Sequence, residues 1–308
     1  MPQRKTVTSG KNFSTSTFWR LFPAGMRRRW WLFRFFDIIS KNIPVFRKRR
    51  GVLVIRMDGI GDMVLFRAAL DHYAEVFKIE KSEITVLGCT SWGSITDVVF
   101  KGYKTLIINE HSFARWPFYR FWHSLKVRAV NPAVSICDSY LRRAIMSDSL
   151  SWISGANRTI SSLPFISENT RAEYQYYLSQ VDEIIQTGDY PTHEVERHFN
   201  FLSNIAGRKI KPEVPKIQWR GNLPLEKFVP VGATYVVLNP GSNEFGRRWP
   251  LAKFQKLAQK LVEWGHYVVF VGGKEEHPGT IDISAGGIID LIGKTTLEQL
   301  LDLMNHAQ

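Results

Sequence analysis

A loop rich in Gly, Ser and Asn joins a predicted strand to a predicted helix at residues 239–250. The apolar run 235–238 precedes this loop, and a helical pattern begins near Leu251. Main-chain N–H groups in such a loop and at a helix start attract anions. Arg247 and Arg248 add permanent positive charge with forked donors that suit phosphate oxygens. The segment therefore indicates an α/β fold with a phosphate site at this loop. For this loop taken alone, the alternative is an ordinary turn with two solvated arginines.

A second strand–loop–helix pattern lies at residues 52–70. Its glycines, Gly59 and Gly61, permit a tight turn and close approach by a ligand. Asp62 follows at the predicted first turn of the helix and is a candidate catalytic carboxylate. The alternative is that Asp62 only caps this helix. The dinucleotide fingerprint would need Gly where the chain has Val64, which counts against a Rossmann oxidoreductase.

Further strands and helices alternate on either side of a linker. Apolar runs predict strands at 84–87 and 105–108 after a helix over 65–77, which is the order of a parallel βαβ sheet. The second half predicts strands at 235–238, 267–271 and 288–291, and helices at 251–264 and 297–305. Residues 208–232, rich in Lys, Pro and Gly, are the natural linker between the two halves.

Together these segments resemble the family 9 glycosyltransferases, whose best-known members are the ADP-heptose:lipopolysaccharide heptosyltransferases. The specific matches are residues 54–65, 237–276 and 291–300, and weaker ones are 137–143 and 193–197. All occur in the family's order, and the resemblance covers about residues 51–308. It implies two Rossmann-like domains facing a cleft, the GT-B type of fold. The acceptor would dock mainly on the N-terminal domain and the sugar nucleotide on the C-terminal one.

The resemblance also implies functions for single residues. Asp62 looks like the family's general base. Ser242, Asn243 and Arg247 look like contacts of the donor diphosphate. Glu276, or its neighbour Glu275, looks like a contact of the nucleoside. The remaining candidates are Arg248 on the donor side, the loop glycines Gly59, Gly61 and Gly241, and the acceptor-side residues Asp58, Asp138, Arg142 and His193.

Three of the acceptor-side candidates have open alternatives. Asp58 lies on the same turn as Asp62 and is the rival base. For Asp138 and His193, a satisfied polar residue of the core is the alternative to a place in the site. The aromatic and basic segment 111–130 is either a packed amphipathic helix or an edge that faces the acceptor.

The implied activity is that of an inverting, metal-independent glycosyltransferase. We expect it to move a sugar, a heptose by resemblance, from a nucleotide-diphosphate sugar such as ADP-heptose to lipopolysaccharide or a related glycolipid. The sequence has no D-x-D arrangement, C-x-x-C pair or His cluster, so we expect no metal site and no cofactor. The alternative is a catalytically inactive, membrane-tethered relative that only binds nucleotide or glycolipid.

The C-terminus differs from the family pattern. After Gln308 the family continues into another strand and a donor-holding loop with Asp, Ser or Thr, Gly and His. We therefore expect the second domain to be incomplete, apparently truncated. The expected domains are an N-terminal arm at 1–50, an acceptor domain at 51–215 and a nucleotide-sugar domain at 216–308.

The N-terminal arm carries nearly all of the net charge of +13. Residues 1–50 hold 13 Lys or Arg, one acidic residue (Asp37) and ten Phe or Trp, and residues 1–14 are expected to be disordered. The segment 30–39 is densely apolar, with a polar stripe on one helix face formed by Arg27, Arg34, Asp37 and Lys41. This pattern predicts a helix in an anionic membrane interface. A nucleic-acid arm and a solvated basic tail are the alternatives.

These features predict partners and a location. The expected partners are a nucleotide sugar, a glycolipid acceptor and an anionic membrane surface contacted through residues 15–50, with no nucleic acid. Two cysteines, Cys89 and Cys137, cannot form a disulfide framework and suit a reducing compartment. We therefore expect a cytoplasmic protein, peripheral on the inner face of the bacterial inner membrane.

Overall fold

The computed structural model describes residues 7–9, 28–217, 219, 221, 224–242, 245–274, 279–284 and 286–307. The candidates Asn243, Glu275 and Glu276, and residues 10–27 of the arm, lie outside these ranges. The chain divides into two compact units, Met1–Ile217 and Gln218–Gln308. Residues 28–50 of the arm therefore fall in the first unit.

The first unit alternates strands and helices. Its strands are β1 (Val7–Ser9), β2 (Val52–Arg56), β3 (Ile84–Cys89), β4 (Lys104–Ile108), β5 (Val134–Cys137), β6 (Arg158–Ser162) and β7 (Glu183–Ile185). Its α-helices are α1 (Arg28–Asn42), α2 (Ile60–Phe77), α3 (Thr96–Val99), α4 (Glu110–Arg115), α5 (Pro117–Val130), α6 (Ser147–Ser154), α7 (Arg171–Leu178) and α8 (Glu194–Ala206).

Within the described residues these strands form one sheet in the order β1-β7-β6-β5-β2-β3-β4. All neighbours from β7 to β4 pair in parallel, and β1 pairs antiparallel with β7. The central strand β2 is buried along its whole length, as expected of a parallel strand covered on both faces. Leu53, Ile55 and Leu87 pack against Val127 of α5 and Leu150 of α6 in one core cluster.

A glycine at the start of β2 makes the close strand packing possible. Gly51 has a φ of +70°, in the left-handed region that favours glycine. A Cβ atom at this position would lie 2.1 Å from the main-chain oxygen of Glu83, just before β3. Any larger residue would therefore push β2 away from β3.

The second unit is a smaller parallel sheet. It contains β8 (Tyr235–Leu238), α9 (Leu251–Glu263), β9 (Tyr267–Phe270), β10 (Ile288–Asp290) and α10 (Leu297–His306). Among the described residues the strand order is β10-β9-β8, with both pairs parallel. This is the order of half a Rossmann sheet, in which the first βα loop receives phosphate.

Most predicted elements agree with the structure. The strands at 52–56 and 235–238 have the predicted bounds, and the other predicted strands agree within two residues. The helix predicted over 65–77 spans Ile60–Phe77, and Asp62 lies in its first turn as predicted. The expectation of disorder over 1–14 is wrong for residues 7–9, which pair with β7.

Candidate active site

The strand order of the first unit indicates where a ligand would bind. Counted from β4, the parallel strands run β4-β3-β2-β5-β6-β7, which is the order of a Rossmann sheet. The direction of winding reverses between β2 and β5. Ligands of such sheets bind at this switch point, outside the carboxyl ends of the strands. The residues that follow Arg56 of β2 and Cys137 of β5 therefore form the candidate site.

Arg56 is a buried cation at the switch point. Its guanidinium lies 2.6 Å from Asp58 Oδ2 and 2.7 Å from Asp138 Oδ1. It also donates a hydrogen bond of 3.1 Å to the main-chain oxygen of Asp62, and it lies 4.3 Å from the centroid of the Phe66 ring. One guanidinium thus fixes the loop after β2, the start of α2 and the segment after β5.

Asp138 is a core residue in the structure. It is fully buried, and its second carboxylate oxygen lies 2.8 Å from Nδ1 of His198 on α8, which is also buried. An acceptor cannot reach a carboxylate enclosed by Arg56 and His198. The alternative considered from the sequence, a satisfied polar residue of the core, therefore describes Asp138.

Because Arg56 and His198 enclose Asp138, part of the free energy of unfolding depends on pH in the acid range. Burial by itself would raise the pKa of Asp138, but the charges and hydrogen bonds of His198 and Arg56 outweigh burial and hold its pKa below the ordinary value. A carboxyl group with a lowered folded pKa stabilises the fold above its unfolded pKa of about 4. That contribution is lost as the pH falls through the folded pKa.

We therefore expect Asp138→Asn to reduce the loss of stability below about pH 4, compared with the parent chain. Urea unfolding at a series of pH values measures this loss. Asp97→Asn is the matched control, because Asp97 is exposed on α3. An acid dependence that is the same in both variants would contradict the expected role of Asp138.

Asp62 is an exposed carboxylate in the first turn of α2. Gly59 occupies the N-cap position, and no side chain makes a capping hydrogen bond there. The capping alternative for Asp62 is therefore not what the structure shows. Arg56 holds the main chain of Asp62, while its carboxylate is open to solvent. A carboxylate placed in this way can accept a proton from a bound hydroxyl group.

The two loop glycines are not required by the backbone. Gly59 has extended dihedrals (φ −71°, ψ 174°), and neither Gly59 nor Gly61 has a positive φ. A Cβ at Gly59 would meet only Asp62 Oδ2, at 3.8 Å, and one at Gly61 would meet nothing within 4 Å. The backbone of this loop therefore does not need glycine at either position. Close approach by a ligand to this open loop stays a prediction.

Asp58, the rival base, is held on the inner side of the same loop. Its side chain is 7% exposed, and the carboxylate oxygen that contacts Arg56 also accepts a hydrogen bond of 2.8 Å from Ser139 Oγ. Burial raises the pKa of Asp58 above its ordinary value, although Arg56 and Ser139 oppose the rise and Asp62 and Asp138 add to it. Its geometry suits an anchor of the loop better than a base, since Asp62 is the carboxylate open to a hydroxyl group.

Arg142 and His193 have structural contacts in the first unit. The side chain of Arg142 is 1% exposed and makes an ion pair with Asp148, 2.9 Å away, so its charge is compensated internally. Ser161 and Ser162 also accept hydrogen bonds from it. His193 is the N-cap of α8, and its Nδ1 atom accepts a bond of 3.2 Å from the main-chain nitrogen of Val195.

A cavity of about 600 Å³ opens beside Asp62 in the first unit. Asp58, Asp62 and the exposed cations Arg115 and Arg143 contribute to its wall. The rest of the lining is mixed, with the polar residues Glu110 and His111 as well as apolar side chains such as Phe165. A cavity with the exposed carboxylate of Asp62, two exposed guanidinium groups and a mixed polar and apolar wall can hold a polar, anionic molecule and deprotonate one of its hydroxyl groups.

Sequence reasoning missed the buried residues that organise this site. Arg56 was identified only as a strand end, and Ser139 and His198 were not assigned any function. One signal was available: β2 is an apolar run, Val-Leu-Val-Ile, that ends in Arg56. A charge at the carboxyl end of a fully buried parallel strand must be paired, and its partners converge on the switch point.

The first βα loop of the second unit carries the predicted cations. Arg248 Nε donates a hydrogen bond of 2.7 Å to the main-chain oxygen of Ser242, and Gly241 donates its N–H to the side chain of Asn239. Arg247 is exposed in a short 3₁₀ turn, Phe245–Arg247. The helix α9 begins at Leu251 with no acidic residue in its first turn and no side-chain cap. These features give the loop and the helix start a positive potential.

The part of the chain that the structure describes contains no group of three or more His, Cys, Asp or Glu residues placed to hold a metal ion.

Comparison with known proteins shows which family the chain resembles. Residues 167–308 match the profile of glycosyltransferase family 9 (heptosyltransferase). A search of curated proteins found no significant match. The family match confirms the predicted resemblance and the predicted enzyme class, a glycosyltransferase.

Solved structures confirm the α/β fold class. The ADP-heptose LPS heptosyltransferase II of E. coli is 15% identical, with 83% of this chain and 77% of that chain covered and a TM-score of 0.61. A family 9 glycosyltransferase from Veillonella parvula DSM 2008 is 14% identical, with 86% and 76% covered and a TM-score of 0.63. The E. coli heptosyltransferase WaaC with ADP-2-deoxy-2-fluoro heptose is 13% identical, with 83% and 80% covered and a TM-score of 0.61.

Proposed function

We propose that this glycosyltransferase transfers a sugar from a nucleotide-diphosphate sugar to a hydroxyl group of lipopolysaccharide or a related glycolipid, with inversion at the anomeric carbon. The observation that carries the proposal is the exposed carboxylate of Asp62 at the switch point of a Rossmann sheet. Its main chain is fixed by a buried guanidinium, and its side chain lines a cavity that also bears two exposed arginines.

Asp62 is the proposed general base. It takes the proton from the acceptor hydroxyl as the hydroxyl oxygen attacks the anomeric carbon of the donor sugar. The bond from that carbon to the diphosphate breaks in the same displacement, and the nucleoside diphosphate leaves with the bonding electrons. Inversion follows, because a single displacement brings the nucleophile in opposite the leaving group.

The loop 239–250 is the proposed diphosphate site. Arg247 and the main-chain N–H groups at the start of α9 stabilise the negative charge that develops on the leaving diphosphate. Arg248 holds the loop closed through its bond to Ser242. Asn243 and Glu276 are further proposed donor contacts on the strength of the family resemblance. With arginine charge available at the diphosphate, we propose that the transfer needs no divalent cation.

The identity of the substrates is proposed from the relatives. Two of the similar structures are named as heptosyltransferases; one is an ADP-heptose LPS heptosyltransferase, and the other is described with ADP-2-deoxy-2-fluoro heptose. We propose ADP-heptose as the donor and a lipopolysaccharide precursor as the acceptor. The enzyme would then work at the cytoplasmic face of the bacterial inner membrane as a peripheral protein. The helices in the described part of the chain include no candidate for a membrane-spanning segment.

Replacing each arginine in turn distinguishes a charge that binds the diphosphate from a side chain that holds the loop. We expect Arg247→Ala to weaken binding of a nucleotide-diphosphate sugar by about 1.5–3 kcal/mol, the range for a charge-assisted hydrogen bond. Arg248→Ala should have the smaller effect, because adjacent residues at a helix start point in different directions and the Arg248 guanidinium is turned to the Ser242 carbonyl. Calorimetric titration with ADP-heptose measures both. Equal and negligible effects would mean that the two arginines are only surface charge.

The activity itself is tested with the full chain. ADP-heptose is mixed with deacylated lipopolysaccharide core acceptors, and release of ADP is followed with and without the acceptor. We expect ADP release that requires both substrates, with product of inverted anomeric configuration by NMR. Binding of ADP-heptose without any transfer to the acceptors would favour the alternative, a catalytically inactive relative that only binds its ligands.

A further inference from the structure

Exposed apolar side chains cover two neighbouring helices of the first unit. Phe35 on α1 is 60% exposed, and Phe118 and Trp122 on α5 are 81% and 60% exposed. The ring of Phe36 lies between them, with centroids 5.7 Å from Phe35 and 6.1 Å from Phe118. We call this set the apolar face; its exposed members are Phe35, Ile38, Ile39, Ile43, Phe46, Trp116, Phe118 and Trp122. A group of large, exposed apolar side chains on two neighbouring helices marks an interaction site.

The polar stripe predicted for α1 faces the rest of the first unit. Asp37 is 1% exposed and makes two hydrogen bonds, of 2.7 and 2.6 Å, with the buried guanidinium of Arg120 on α5. Arg34 lies over the ring of Tyr176 at 4.5 Å, and Lys41 lies over a neighbouring Trp ring at 4.2 Å. The unit therefore satisfies the polar side of α1, and the apolar side of the helix points away from it.

Basic residues border one end of the apolar face. On α5 the exposed positions Phe118, Trp122 and Lys126 follow one another at intervals of four residues, so Lys126 continues the row of aromatic side chains. Lys126 lines a cavity of about 850 Å³ with Arg47, Lys48, Arg50 and Lys104, and the lining contains a single acidic residue, Glu83. This end of the face carries a strong positive potential.

We propose that the apolar face docks on a lipid bilayer that contains anionic lipids. Phe, Trp and Ile side chains beside a basic cluster are the combination that inserts shallowly at the headgroup boundary and attracts acidic headgroups. Because the Asp37–Arg120 pair ties α1 to α5, the docking surface is a preformed part of the first unit and includes residues 116–122 as well as the N-terminal helix. The inference deepens the proposed function, on which it rests for the glycolipid acceptor.

The position of the face suits a lipid-linked acceptor. Arg115 lines the cavity beside Asp62, and the next residue, Trp116, belongs to the apolar face. A molecule whose lipid part remains in the bilayer could therefore present its polar head to the cavity without leaving the membrane. The two exposed arginines of the cavity would meet anionic groups of that head.

Vesicle binding tests the docking face without donor or acceptor, so its outcome is independent of the proposed reaction. Sedimentation with phosphatidylglycerol–phosphatidylcholine vesicles should be stronger than with phosphatidylcholine alone. We expect the double substitution Phe35→Ser and Trp122→Ser to lower the partition coefficient at least about tenfold at any salt concentration. The double substitution Lys48→Glu and Lys126→Glu should lower the partition coefficient mainly at low salt, because salt screens the attraction between lysine side chains and acidic headgroups.

The matched control is Trp264→Ser in the second unit, because Trp264 is 70% exposed but lies outside the apolar face. All variants change exposed side chains, and an unchanged melting temperature verifies their folding. Equal binding by the Phe35/Trp122 variant and the Trp264 control would overturn the proposal. A dimer in sedimentation velocity that only the Phe35/Trp122 variant loses, with vesicle binding unchanged, would assign the face to a second copy of the chain instead.

Discussion

Replacing Asp62 with Asn should lower the rate of sugar transfer by about 100- to 10,000-fold, the usual cost of losing a general base. The carboxylate is exposed and accepts no capping bond, so its change to an amide removes the base without disturbing the packing of α2. Arg56 binds the main chain of Asp62, and that bond remains in the variant. We therefore expect an unchanged melting temperature and unchanged binding of the nucleotide sugar.

Asp58→Asn is the informative comparison for this experiment. Asp58 is buried against Arg56 and Ser139, so its substitution should lower stability as well as activity. Turnover with saturating donor and acceptor, measured beside thermal unfolding, separates the two carboxylates. Near-normal transfer by the Asp62 variant would eliminate Asp62 as the base and favour Asp58, the rival carboxylate of the same loop.

The sequence predicts the backbone around Asp62 well, and the physical reason is local. Apolar runs of four or five residues that end at a Gly loop specify parallel strands, because a strand covered on both faces needs no polar alternation. The bounds of β2 and β8 and the start of α9 at Leu251 therefore follow from pattern alone. The order of the strands follows from the family resemblance, since pairing of distant strands leaves no local signal.

The pairing of buried charges could not be predicted from the sequence. Arg56 and Asp138 are 82 positions apart, and only the adjacency of β2 and β5 brings them to 2.7 Å. The same limit applies to α1. Its polar stripe was visible in the sequence, but the direction of that stripe depends on Arg120, which is 83 positions away. The spacing of polar residues along one helix predicts which residues share a face. Whether that face contacts protein or solvent depends on the helix that packs against it.

Breaking the Asp37–Arg120 ion pair should have a large effect on the free energy of unfolding. Removing one member of a buried ion pair leaves the other charge uncompensated, which costs about 3–5 kcal/mol. Asp37→Leu should therefore lower the free energy of unfolding by about that amount, since Arg120 has no exposed surface and is otherwise bound to Ser149. Urea unfolding followed by the tryptophan signal measures the change.

The matched variant removes both charges. Asp37→Leu combined with Arg120→Met replaces the pair with apolar groups, and such replacements are often neutral or stabilising. We expect the double variant to recover most of the lost stability and to bind vesicles as the parent chain does, because the apolar face is unchanged. A chain that begins at Gly51 lacks Asp37 and leaves the charge of Arg120 uncompensated. If only that chain lost vesicle binding, the loss could come from unfolding and would not by itself show that the apolar face docks. If Asp37→Leu alone leaves stability unchanged, the pair does not hold α1 against α5, and α1 would have to dock as a separate helix.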